Sequence, residues 1–270
     1  MLPEDLPLLF PGSPLFSYYG YLFEKPMFYT KDLEGNIGEG RVGAFPITSS
    51  AARVSTVSIG IDGVLSNHFS CLYREAVYAS PSLLFSSSPE DTILQIAEGF
   101  VIGSDLFRSA LANALETPDY YCHLPICDAV THEDFNLLDD AFESAEVAGY
   151  LISGRSCLAH GPSIISCDTR VATQNWLHHH GLRHYLGVIP CVRPKDLVQT
   201  LQDRLVDFHL TAVPGVVDML SAAGVETYLL DRSWNRNHAT ARRVFSIEQF
   251  LDIVYNHQYG SRLEPLERAS

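Results

Sequence analysis

The chain has 270 residues, 46% of them hydrophobic, and carries 18 Lys and Arg against 32 Asp and Glu, a formal net charge of −14. That length suits one sizeable α/β domain or a core domain with an extension and an inserted cap, and the apolar share is enough for a real core. The acidic balance repels a phosphate backbone and an anionic lipid surface, so neither nucleic acid nor membrane is an expected partner. Apolar runs are short and broken by charge, Gly or Pro, unlike a membrane span.

The start, MLPEDLPLLFPG, carries Glu4 and Asp5 where a signal or transit peptide would be basic. Cys71, Cys122, Cys127, Cys157, Cys167 and Cys191 show no CxxC spacing and read as free thiols of a reducing compartment. The expected location is cytoplasmic or otherwise intracellular. Residues 1–52 are rich in Pro and aromatic side chains, and MFYTKDLEGNIGEGRVGAFPI places extended residues around a Gly-rich turn. They are expected to form an N-terminal extension with a hairpin.

Residues 53–270 have a different texture. VSTVSIGIDGVL begins as an apolar strand and ends in a Gly turn. TILQIAEGF, LFRSALANALE and FNLLDDAFESAEV are helical stretches within a mainly helical cap insertion at about 70–145. Then AGYLISG, YLGVIP, VDFHLTAV and VETYLLD read as four more strands. TRVATQNWLHHHG, PKDLVQTLQDRL, PGVVDMLSAAG and SIEQFLDIVYNH read as helices, two opened by Pro and two closed by Gly181 and Gly224. The alternation predicts a parallel sheet with helices on both faces.

Ligands of such sheets sit beyond the carboxyl ends of the strands. There the chain reads Gly60-Ile61-Asp62-Gly63-Val64-Leu65, Ser153-Gly154-Arg155, Lys195, and Leu210-Thr211-Ala212-Val213-Pro214. The set, in this order, resembles the haloacid dehalogenase (HAD)-like superfamily. The Thr173-x-x-Trp176-Leu177 helix and the tail LLDRSWNRN resemble its 5'-deoxyribonucleotidase-like branch. The resemblance spans roughly residues 54–255 and implies a Rossmann-like α/β fold. It implies that the first strand ends in Asp-x-Asp, the first Asp attacking phosphorus and the second serving as acid and base. It matches Ser153, Arg155 and Lys195 to phosphate-binding positions, and it implies acidic magnesium ligands before the Pro214 helix.

The departures bear on function. The nucleophile position is Gly60, and no carboxylate stands at Leu210, Thr211 or Ala212, so the motif residues left are Asp62, Ser153 and Lys195. Phosphoryl transfer of this kind needs the nucleophile and the cation. In a protease precedent, loss of a nucleophile costs on the order of 10⁴–10⁶ in rate. The expectation is a pseudoenzyme without cofactor, acting through ligand binding, a protein partner or self-association, in which residues 1–52 offer the added surface. The alternative is a magnesium-dependent 5'-nucleotidase or phosphatase using Asp62 and a non-standard metal ligand. A third reading is another reaction through Ser153, Lys195 or a cysteine. His178, His179, His180 and His184 invite a metal reading, but consecutive helical residues point in different directions.

Overall fold

The computed structural model describes residues 54–117, 119–154, 169–190, 194–239 and 242–267. Expectations for residues 1–52, Arg155, Cys157, Cys167 and Cys191 lie outside the described residues, as does the side chain of Lys195. The central strand is β1 (Ser55–Gly60). A helical stretch follows: α1 (His68–Ala79), the short α2 (Leu83–Ser86), α3 (Pro89–Ile102), α4 (Asp105–Ala114) and α5 (His132–Glu143). Then come β2 (Val147–Ser153), α6 (Thr169–His179), β3 (Gly187–Pro190), α7 (Pro194–Asp203) and β4 (Phe208–Thr211). The chain continues through α8 (Pro214–Ala222), β5 (Glu226–Leu230), β6 (Arg243–Val244) and α9 (Ile247–Glu267).

The strands form one sheet in the order β3-β2-β1-β4-β5-β6, and every neighbouring pair is parallel. This is the Rossmann-like architecture expected. The local signals explain the helix starts: Ser88 and Ser104 accept the Asp91 and Phe107 N–H groups at 3.1 and 3.2 Å, and Thr131 and Asp134 form a capping box. Two details differ from the sequence reading. The helix read into residues 135–147 stops at Glu143; Ala145 turns left-handed at φ 55°, and Val147 pairs with Ser55 instead. The two-residue β6, too short to show any periodicity, adds an edge beside β5.

Side chains alternate across a strand, which sorts the helices onto two faces. On one face the Phe142 ring of α5 lies against Gly149, and the α9 rings His257 and Phe250 meet Phe208 and Tyr228 at 5.1 and 5.9 Å. On the other, Ser58 and Gly60 of β1 share their side with Ile152 and His209, and Leu197 of α7 and Val216 of α8 reach the same cleft. Val57, Ile59, Leu151 and Leu210, all at 0% exposure, fill the middle of the sheet. No described helix is long and apolar enough to cross a membrane.

One polar pair sits inside this core. His209 is opposite Ser58 in the β1–β4 register, and its Nδ1 lies 2.7 Å from the Ser58 Oγ. Burial pushes the imidazole down to about 3, a hydrogen bond with the Ser58 backbone opposing that shift. His209 is therefore neutral in the folded protein over a range in which an unfolded-chain histidine, with its ordinary value of about 6.5, takes a proton. Protonation favours the unfolded state as pH falls below about 6.5, and the effect saturates near the folded value. Replacing His209 by Gln should flatten the acid loss of stability: between pH 7 and pH 5, urea unfolding should show the variant losing roughly 1–2 kcal/mol less than wild type. Equal pH dependence in the two proteins would contradict the assignment.

Candidate functional site

The carboxyl ends of β1, β2 and β4 converge on the turn after Gly60. Gly63 takes φ 82°, and a Cβ there would stand 2.8 Å from the Phe69 ring, so the turn requires glycine on both grounds. The Gly63 N–H donates to the Ser66 carbonyl at 2.9 Å, and Ile61 N–H reaches across to the Ile152 carbonyl at 2.8 Å. Gly60 has no such constraint. Its hypothetical Cβ would meet the Leu210 carbonyl at 3.4 Å and the Val64 methyl at 3.7 Å, which are ordinary contacts. A Cβ fits at the position the resemblance implies for a nucleophile; the sequence does not supply one.

Asp62 is held from several sides. Its Oδ2 accepts the Gly154 N–H at 3.1 Å, and its Oδ1 accepts the Ser66 hydroxyl at 3.3 Å. His68 Nδ1 lies 3.2 Å from the same Oδ1. That contact is within ion-pair range but lacks hydrogen-bond alignment, and neither ring nitrogen of this buried histidine makes a hydrogen bond among the described residues. The His68 ring sits 5.8–5.9 Å from those of Phe69, Tyr120 and Tyr121. Asp62 thus ties the β1 turn to the end of β2 and the start of α1.

The other predicted residues are distributed unevenly. Ser153 is buried at the end of β2, but the cleft beside Gly60 and Asp62 is lined from β2 by Ile152 and Gly154. The first turn of α7, which carries Lys195, starts at this cleft, since Leu197 lines it. At the end of β4, Leu210 and Ala212 are fully buried and Thr211 accepts the Val213 N–H at 3.2 Å. Magnesium takes octahedral oxygen ligation, usually through one or two carboxylates with water and substrate phosphate. Among the described residues, Asp62 is the carboxylate at the cleft, both of its oxygens are engaged, and no group of three His, Cys, Asp or Glu comes together. The described residues by themselves do not bring together a magnesium ligand set. The histidines that follow α6 scatter as well: His184 pairs with Asp139 at 3.0 Å, while His180 packs on Trp176 with ring centroids 4.6 Å apart.

The tail motif is a brace. The buried Arg232 donates Nε to the Gly63 carbonyl at 3.0 Å and a terminal nitrogen to the Val64 carbonyl at 2.8 Å. Asn235, fully buried, donates to the Ala212 and Leu230 carbonyls, both at 2.9 Å. Asp231 pairs with Arg243 at 2.9 Å and Arg236 at 3.1 Å. The sequence reading missed Glu98 and Phe100 of α3. Glu98 Oε1 accepts the Gly215 N–H at 2.9 Å, and the Phe100 ring lies so close over Gly154 that a Cβ there would be 2.1 Å away. Neither residue carries a motif, and His68 gave no signal beyond being polar at a helix start.

The cleft that remains measures about 30 Å³, an order of magnitude below the roughly 300–1,000 Å³ of ordinary small-molecule sites. A wider groove of about 310 Å³ lies at the opposite end of the sheet, between the end of α5 and Leu186.

No protein-family model and no curated protein matches the sequence. Among solved structures, the chain resembles a HAD-superfamily hydrolase, subfamily IA, of Geobacter sulfurreducens, at 13% identity and TM-score 0.42, over 77% of this chain and all of that one. It is similar to a β-phosphoglucomutase of Clostridium difficile at 16% identity and TM-score 0.42, over 76% and 98% of the two chains. It is also similar to a 2-haloacid dehalogenase of Pseudomonas syringae at 12% identity and TM-score 0.40, over 76% and 99%. The sheet order and the helices on its two faces, not these superpositions, define the fold, which is Rossmann-like.

Proposed function

We propose that this chain is a non-catalytic relative of the HAD hydrolases that acts by binding. The single observation that supports this most is the strand-end chemistry: Gly60 stands at the nucleophile position, and Leu210, Thr211 and Ala212 stand where the resemblance implies magnesium acids. The remaining carboxylate, Asp62, is spent on Ser66 and Gly154. With magnesium present, the purified protein should not hydrolyse p-nitrophenyl phosphate or deoxynucleoside monophosphates above background. Gly60→Asp should fold, since a Cβ fits there, yet stay inactive for want of the cation ligands. Turnover by wild type that disappears in Asp62→Asn would overturn the proposal.

The binding partner in this proposal is a protein, a second copy or another chain, met through residues 1–52. That segment carries Phe10, Phe16, Tyr18, Tyr19, Tyr21 and Phe23 among other apolar residues, and each large side chain gains roughly 1.5–3 kcal/mol on leaving water. Aromatic residues are also enriched at interfaces. Deleting residues 1–52 should leave a folded monomer by light scattering where the full chain is larger or captures its partner. A core that still associates after the deletion would remove these residues from the interface.

A further inference from the structure

We infer that Ser88 is a phosphorylation site for a serine kinase that requires proline after its acceptor. The inference does not rest on the non-catalytic reading. Ser88 lies in the connection between α1 and α3, residues 80–89, which read SPSLLFSSSP. This stretch holds two Ser-Pro pairs, Ser80-Pro81 and Ser88-Pro89, and no Lys or Arg stands from residue 75 to 107. A kinase that selects basic flanks has nothing to hold there. Ser13-Pro14 and Thr117-Pro118 lie wholly or partly outside the described residues.

The structure separates Ser88 from its neighbours. It is exposed, and so are Pro89, Glu90 and Asp91 after it. Its backbone is extended, at φ −67° and ψ 156°, as is that of Ser87, at −155° and 162°. Pro89 is the cause, since its ring disfavours a helical residue in front of it and opens α3. The Ser88 hydroxyl donates to Asp91 Oδ2 at 2.8 Å and accepts the Asp91 N–H at 3.1 Å; both bonds are exposed, so water replaces them readily. Before Ser87, α2 is a single turn that buries no residue and opens easily. Ser87 itself is half-buried, with its hydroxyl 2.6 Å from that of the fully buried Thr92. Ser80 also precedes a proline, but it follows directly on α1, so the residues in front of it are helical.

In the reaction, Ser88 Oγ bonds to the γ-phosphorus of a nucleoside triphosphate. The bond from that phosphorus to the β,γ-bridging oxygen breaks, the nucleoside diphosphate leaves with the electron pair, and the hydroxyl proton passes to an aspartate of the kinase. Selectivity comes from Pro89. It lacks an N–H, so a pocket without an acceptor takes it and leaves the amide of any other residue unpaired. The product adds a charge of about −1.5 to −2 shortly after Leu84 and Phe85, which are 53% and 90% exposed. An apolar tip becomes an anionic one, and the partners it suits change with it.

Incubating the full chain with magnesium, ATP and a proline-directed serine kinase, then locating phosphate by peptide mass spectrometry, tests the site. Ser88 should be phosphorylated in the folded protein. Pro89→Ala, which keeps a good helix former at the start of α3, should slow that by about tenfold or more, as expected for an N–H left unpaired in the kinase. By NMR, the Asp91 amide should shift on modification and then titrate near pH 6 (about the second proton of the phosphate). Phosphate absent from Ser88, or present on Ser80 with none on Ser88, would overturn the assignment. So would modification of Ser88 only after heat unfolding, or a Pro89→Ala variant modified as fast as wild type.

Discussion

Arg232 is the residue on which the strand-end architecture rests. It is 5% exposed, yet among the described residues its guanidinium meets no carboxylate oxygen; it is satisfied by the carbonyls of Gly63, Val64 and Asp231 at 2.8–3.0 Å. A buried cation without partners is costly, and hydrogen bonds to a charged donor are each worth about 1.5–3 kcal/mol, so the three carbonyls and the charge hold each other in place. The Asp62-Gly63 turn is fixed from below by Phe69 and from the side by Arg232. The neighbouring acid, Asp231, is committed instead to Arg236 and Arg243. Asn235 extends the same brace to Ala212 in the turn after β4, so the loops after β1, β4 and β5 are tied together.

That brace decides how the few polar groups near Gly60 are used. Asp62 faces inward to Ser66, Gly154 and His68, and the cleft beyond it is lined chiefly by Phe69, Phe100, Ile152, Leu197, Val213 and Val216. Phosphoryl transfer places most of its demand on positioned charge. An apolar cleft with one engaged carboxylate serves packing better than it serves that chemistry, and on the proposed reading the scaffold has been kept while the centre was given over to holding loops together.

Much of this was legible in the sequence because its causes are local. Apolar runs closed by turns mark β1, β2, β4 and β5. Pro194 and Pro214 open their helices, and Gly181 and Gly224, at φ 98° and 81°, close theirs. The tail LLDRSWNRN was legible as a motif, but not that its Arg232 and Asn235 would reach the Gly63, Val64 and Ala212 carbonyls. The rest depends on distance in the chain. Nothing around Glu98 says that it will cap a helix 117 residues later, and nothing around Phe100 says that it will cover Gly154. His68 falls between the β1 turn and the first helical stretch read, TILQIAEGF, and its place beside Asp62 follows from how α1 leaves the turn. The helix ending at Glu143 was overread because the residues after it keep a helical composition; only the left-handed Ala145, which composition does not show, stops it.

The most direct measurement is a crystal structure grown with magnesium chloride and soaked with orthovanadate, a phosphoryl-transfer mimic. If the strand ends form a brace and not a catalytic centre, Asp62 remains bonded to Ser66 and Gly154, Phe100 remains over Gly154, and no octahedral ion stands between Asp62 and the end of β4. A magnesium ion coordinated by Asp62, with vanadate seated at Gly60, would contradict it.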